Sequence, residues 1–391
     1  EGDYYFGGED DGAMTTGWLL TDVTYNEATN DDYKYTAAAF NDDEDQTRWF
    51  YFKSNGKMIK ADNGERTKDK TINGKKYAFD EYGAMVAEWS LDEGDEKIAS
   101  KSEERAKASV DVATTSEAWN GAGNYAKYTQ AWRYFNSVED GSRVSKGWFK
   151  VVAAEMLNKD KYDDDEDAWY YADGNGRIYT AAFKTIKGKK YAFREDGRMV
   201  NGLKFIKQNN AGEIIGVVAD DNTGHPFDTE DDFVKNAPYW NENGYYCYYF
   251  GDGDDGAMRT NKTNITIDGD SFNFYFEKSG GHKGAGKTGE KDKKYYQSGM
   301  LLKAGSDEKY QVVKTLDAAN DTNDSNEAIS GYMKLDDVKA FLDEVGVTST
   351  TNPSSVTLSS YGISKKADDI DELYIIPSTD QDGQNVAGKY F

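Results

Sequence analysis

The chain has one cysteine, four prolines and two histidines among 391 residues. A single cysteine, Cys247, excludes an internal disulfide framework. It lies in the apolar run GYYCYYF, which suits a small buried side chain better than a reactive thiol. The histidines, His225 and His282, suggest no Ser-His-Asp arrangement, and no carboxylate pair stands out for glycosidase work among 71 acidic residues. Proline-rich linkers are excluded. Aliphatic residues are sparse, hydrophobic content being only 37%, so one large aliphatic core is not expected, and no run approaches the eighteen apolar residues of a membrane span. Cations are also short: 47 Lys and Arg against 71 Asp and Glu leave a net charge of −24, which repels phosphate backbones and anionic membranes and argues against nucleic acid. No signal peptide is visible before EGDYYFGG, as expected of a processed or truncated chain.

What the chain does have is rings and turns: 29 Tyr, 8 Trp and 39 Gly. Aromatic side chains, each covering roughly 150–250 Å², must supply much of the buried area. They recur in a pattern. TINGKKYAFDEYGAMV, Thr71 to Val86, returns as TIKGKKYAFREDGRMV, Thr185 to Val200, with twelve of sixteen positions identical. The shared grammar is a run of alternating aromatics, a polar turn, Gly, one further residue, then Met or Ile. Alternation at period two predicts strands, and Asn-Gly or Asp-Gly predicts hairpin turns.

Copies start at Tyr4, Trp49 and Lys76, at Trp132, Trp169 and Lys190, and more loosely at Tyr248, Phe274 and Lys294. They predict nine hairpins in three triplets, spanning 1–91, 129–205 and 241–305. Between them lie a charged segment, 92–128, predicted as a helical insertion, and a second insertion, 206–240, in which GEIIGVV predicts a strand. After Gly305 the grammar stops. Leu335, Val338, Leu342 and Val345 share one helical face before Gly346, and ELYIIPS predicts a strand, so 306–391 is expected to be a small α+β module or a cap. The fold class is therefore mainly β: a repeat array of aromatic hairpins, a β-solenoid, with a helical insertion and an α+β end.

Two motifs are read as solvated loops. Asp163 to Asp167 and Asp252 to Asp255 lack the alternating carboxylates, central Gly and terminal Glu of a calcium loop, so no metal is expected. Gly281 to Thr288, GHKGAGKT, matches the G-x-x-x-x-G-K-[ST] phosphate loop in form, but alternating strand sequence precedes it and no apolar helical period follows. No cofactor is expected.

GAMTTGW, Gly12 to Trp18, followed by WFYFKSNGKMIKA, resembles the choline-binding type of cell-wall-binding repeat from Gram-positive surface proteins. TINGKKYAFDEYGAM is similar to the glucan-binding and clostridial-toxin repeats of the same superfamily. The resemblance covers roughly 1–90 and 131–305. It implies stacked hairpins with ligands between them, in cages made by a Gly-Trp, a Trp-x-Tyr and a later Met or aromatic. Trp18, Trp49, Tyr51 and Met58 match one cage, Trp148, Trp169, Tyr171 and Tyr179 a second, and Trp89, Trp132 and Tyr134 a third. Tyr77 and Phe79, with no Trp nearby, are read as core. The spacing departs from the family, with about thirty residues between Trp18 and Trp49 and acidic loops in the gaps.

Such a cage suits a quaternary ammonium, which offers no hydrogen-bond donor and is held by ring faces, or a sugar, whose C–H groups stack on the same faces. The expectation is a non-catalytic, extracellular, cell-surface module that attaches to cell-wall polymer or polysaccharide. The alternatives are a surface scaffold or adhesin whose insertions contact a host or surface protein, and the targeting region of a hydrolase whose catalytic domain lies elsewhere.

Overall fold

The computed structural model describes residues 2–23, 46–62, 66–91, 124–155, 157–218, 224–303, 310–335 and 373–377. The bulk of the predicted helical insertion, most of the predicted C-terminal helix and the acidic loop before Trp49 lie outside these residues. The chain divides into two compact units: residues 1–184 with 192–199, and residues 185–191 with 200–391.

The first unit is built from short antiparallel hairpins. Strand β1 (Gly17–Val23) pairs with β2 (Gln46–Phe52), and β3 (Lys70–Ile72) with β4 (Lys75–Tyr77). Strand β5 (Trp89–Leu91) is followed by helix α1 (Asn124–Ala131), which runs past the expected insertion boundary at 128 directly into β6 (Trp132–Tyr134). β5 pairs with β6 across the whole insertion. Strand β7 (Gly147–Val152), helix α2 (Lys159–Asp163) and β8 (Asp167–Ala172) make the next hairpin, with α2 capped by Asn158. The division between the units passes through β9 (Ala182–Ile186) and β10 (Lys189–Phe193).

These pairings correct the expected hairpin. The segment running from aromatics to Met closes only by single bridges, Phe52 to Met58, Phe79 to Met85 and Phe193 to Met199. A tight turn leaves no length for a ladder there. In the three Trp-bearing hairpins, the aromatic strand pairs backwards with the Gly-Trp or Glu-Trp strand before it. Residues 24–45 and 92–131 therefore lie in sequence between paired strands. At the N-terminal end, Tyr4 to Met14 forms a turn closed by the Thr15 amide on the Tyr5 carbonyl (2.8 Å) rather than a strand pair.

The Gly-x-Met grammar has a packing cause. Met14 lies against Gly56, Met58 against Gly83 and Met85 against Gly141, and the series continues with Arg143 against Gly176 and Ile178 against Gly197. Each turn glycine leaves room for the side chain two residues past the glycine of the preceding turn. A Cβ on Gly83 would stand 2.7 Å from Met58. Met, long and unbranched, fills such a gap readily. One long side chain per hairpin thus couples it to the next.

The second unit holds β11 (Leu203–Gln208), β12 (Ile214–Val218), helix α3 (Glu230–Glu242) and β13 (Tyr246–Tyr249), with β11 central in a three-stranded sheet. A five-stranded sheet follows, made of β14 (Asn261–Ile267), β15 (Asp270–Phe276), β16 (Gly289–Lys291), β17 (Lys294–Gln297) and β18 (Met300–Leu301), in the order β14-β15-β18-β17-β16. Strands β19 (Tyr310–Leu316), β20 (Gly331–Leu335) and β21 (Leu373–Pro377) form a third sheet with β19 central. GEIIGVV and ELYIIPS are strands as expected. Leu335, expected on a helical face, instead ends β20, because Gly331 to Leu335 pairs with β19.

Helix α3 has no counterpart among the expected elements. Pro238 in its interior and few aliphatic residues hide its period, yet Thr229 caps it through the Asp232 amide (3.1 Å) and Phe233 and Trp240 bury its inner face. Ala237 and Cys247 join Phe205, Phe227, Phe274 and Phe276 in the same core, so Cys247 is structural and burial pushes its thiol up. The phosphate-loop look-alike is a turn followed by strand β16 rather than a helix, with Met258 against Gly284.

Candidate functional site

All three predicted cages start from the same register. Trp18 pairs with Tyr51, Trp89 with Tyr134 and Trp148 with Tyr171, while Trp49, Trp132 and Trp169 stand two residues before those tyrosines. Residues two apart share a strand face, so each Gly-Trp or Glu-Trp ring meets a diagonal Trp. The Trp–Trp centroid distances are 6.2, 6.3 and 6.2 Å, at interplanar angles of 88°, 86° and 89°. Loop length between the paired strands leaves this geometry untouched.

The first cage is open. Trp18, Trp49, Tyr77, Met85, Glu139 and Asp140 line a cavity of about 390 Å³. Trp18 stands edge-on to Tyr51 (5.1 Å) and Tyr77 (4.9 Å), and Phe79 backs it at 5.9 Å. Met85 is tied in by its amide on the Trp49 carbonyl (2.7 Å). Met85 also packs on Gly141, and this contact brings the turn bearing Glu139 and Asp140 to the cavity. Two hairpins, the bridged segment bearing Met85 and one turn therefore contribute to the wall.

This arrangement changes the membership read from sequence. Tyr51 packs beside the cage without lining its cavity, Met58 lies on Gly83, and Tyr77, read as core, forms a wall. Met85, Glu139 and Asp140 are additions that the motif reading lacks. The repeated Gly-x-Met is the available signal for Met85. The acids carry no local signal, because only the stacking of a later hairpin brings them in.

The second predicted cage keeps the ring geometry. Trp148 stands edge-on to Tyr171 at 5.2 Å, Phe193 lies at 5.7 Å, and Tyr179 stacks on Tyr171 at 5.0 Å. The Met199 amide bonds the Trp169 carbonyl (2.8 Å), as Met85 does with Trp49. Lys184 lies 5.0 Å from the Tyr179 ring centre and occupies one of its faces.

The third predicted cage is packed shut. Phe149 stacks on Tyr134 (4.8 Å, 11°) and on Tyr170 (5.4 Å, 17°), while Tyr128 of α1 meets Trp132 edge-on at 6.2 Å. Trp132 is only 1% exposed, and the Trp89 indole N–H donates to the Val152 carbonyl (2.8 Å). Burial, with the charges of Glu88 and Asp167 adding to it, pushes the Tyr134 phenol up to about 12. The predicted trio comes together, but the chain's own residues fill the space.

No family model matches the chain, and no curated protein sequence does. Among solved structures, the chain is similar to CbpJ from Streptococcus pneumoniae TIGR4, at 16% identity and a TM-score of 0.31 over 76% of this chain and 75% of that one. It is also similar to choline binding protein F from Streptococcus pneumoniae, at 18% identity and a TM-score of 0.28 over 84% and 89%. The modular autolysin LytC of the same organism, solved with a synthetic peptidoglycan ligand, aligns at 16% identity and a TM-score of 0.31 over 89% of this chain and 49% of that one. Among the described residues no helix is long and apolar enough to cross a membrane.

Proposed function

We propose that the chain is a cell-surface binding module of the stacked-hairpin, β-solenoid type, and that it holds the quaternary ammonium groups of a choline-bearing wall polymer. The observation that carries this reading is the cavity of about 390 Å³ walled by Trp18, Trp49, Tyr77 and Met85 and edged by Glu139 and Asp140. An ammonium needs ring faces, each contributing about 0.5–2 kcal/mol, and gains from nearby carboxylates. A neutral sugar would use the rings but gain nothing from net charge. Trp148, Trp169, Tyr171, Tyr179 and Phe193 form a second, weaker site under the same proposal. Its role is attachment rather than catalysis, and its place is outside the cell.

Titration of tryptophan fluorescence with choline tests the reading. Three ring contacts of that size correspond to a Kd on the order of 1 mM. Trp49→Ala is expected to abolish the tighter phase while leaving the far-ultraviolet circular dichroism unchanged. A response to soluble α-glucan with none to choline would overturn the ammonium assignment. Silence toward both would favour a scaffold that contacts protein through its insertions.

A further inference from the structure

We propose that Glu139 supplies the counter-charge by which the first cage prefers a cation to a neutral ligand of the same shape, and that Lys75 limits this preference by pairing with Asp140. This rests on the reading of the cage as an ammonium site. The two carboxylates stand side by side in one turn, yet they are not equivalent.

Asp140 is already engaged. Its Oδ1 accepts the Ser142 amide (3.2 Å) and lies 3.7 Å from Lys75 Nζ. Burial pushes its carboxyl up, but the Ser142 hydrogen bonds and the Lys75 charge outweigh this and leave it below the usual range. Glu139 is exposed, and among the described residues no cation pairs with it. A ligand cation entering the cage therefore meets one carboxylate that already faces a lysine and one that does not.

The competing lysine is part of the same construction. Lys75 opens β4 two residues before Tyr77, so strand alternation sets both on one face. The strand that supplies an aromatic wall also brings a positive charge to the cavity's edge. Attraction by Glu139 and repulsion by Lys75 act at the same mouth with opposite sign, and neither touches the ring faces.

Choline and its uncharged carbon isostere, 3,3-dimethyl-1-butanol, separate charge from shape. Both are titrated against the full chain at low ionic strength by calorimetry. The wild-type chain is expected to bind choline more tightly than the isostere. Glu139→Gln should weaken choline about two- to fivefold, the range of an exposed ion pair, and leave the isostere unchanged. Lys75→Gln should tighten choline by a similar factor, because it frees Asp140. Both differences should fade in high salt. An unchanged choline-to-isostere ratio in Glu139→Gln, or weaker choline binding in Lys75→Gln, overturns the proposal while leaving the cage reading intact. Absence of choline binding to the wild-type chain overturns both.

Discussion

At the scale of single residues, Asp80 and Asp173 occupy matching positions three residues before a turn glycine and differ in burial. Each accepts two backbone amides on Oδ1: Tyr82 and Ala84 in one turn, Asn175 and Arg177 in the other. Asp173 is half-buried, whereas Asp80 is 1% exposed, and the Asp80 Oδ2 has no hydrogen-bond partner among the described residues. Burial pushes the Asp80 carboxyl up to about 7 from an ordinary 3.8, with the backbone amides opposing that rise and Glu81 adding to it. The folded state thus binds this proton more tightly than the unfolded state. The stabilisation is fully present below about pH 4 and is lost as pH rises through 7. At about 1.36 kcal/mol per unit, the ionised carboxylate costs up to roughly 4 kcal/mol. Urea midpoints of the wild-type chain should fall between pH 5 and pH 8. In Asp80→Asn, which keeps the amide-accepting oxygen, the fall should be shallower. Parallel profiles for the two proteins would remove Asp80 as the cause.

At the scale of elements, the turn glycines separate two kinds of requirement. Gly74, in the Asn-Gly turn of β3–β4, has φ +81°, and a Cβ added there would meet nothing within 4 Å, so it answers only to turn conformation. Gly141 has φ +62° and also faces the side chain of Met85, which is buried at 4% exposure. Gly74→Ala is expected to cost about 1 kcal/mol and to leave choline binding alone. Gly141→Ala should cost about 1–3 kcal/mol, because Met85 must move, and should weaken choline as the wall and the acidic turn separate. Chemical denaturation beside a choline titration of each variant checks this. Unchanged affinity in Gly141→Ala would uncouple the Gly-on-Met contact from the cage. The same elements explain what the sequence could disclose. The strands and the three Trp-x-Tyr sets are legible because alternation and Gly-x-Met are local patterns. Tyr77 reads as core because its nearest tryptophan in sequence, Trp89, faces a different hairpin, whereas Trp18 reaches it only through stacking. Trp132 looks open to ligand because nothing in WRYF reveals that Tyr128 and Leu157 will bury it. Helix α3 stays hidden behind Pro238.

At the scale of the molecule, the Trp18–Trp49 and Trp148–Trp169 pairs both lie in the first unit, and Tyr128 and Phe149 fill the third site. Soluble choline cannot sense how many cages a chain carries except through stoichiometry. A polymer bearing many choline groups can, since binding at one cage makes the next contact intramolecular. The full chain should therefore bind about two cholines, and Trp49→Ala or Trp169→Ala one each, with the surviving site unchanged in affinity. On a surface coated with choline-bearing polymer, each single variant should lose about tenfold or more in apparent affinity, the lower part of what linked sites gain. The double variant should lose retention altogether. Biolayer interferometry against that surface, paired with calorimetry on free choline, gives both quantities from the same preparations. A merely twofold loss at the surface would mean that the two cages never engage one polymer together. The repetition of the hairpin would then serve the stability of the array and not the strength of its attachment.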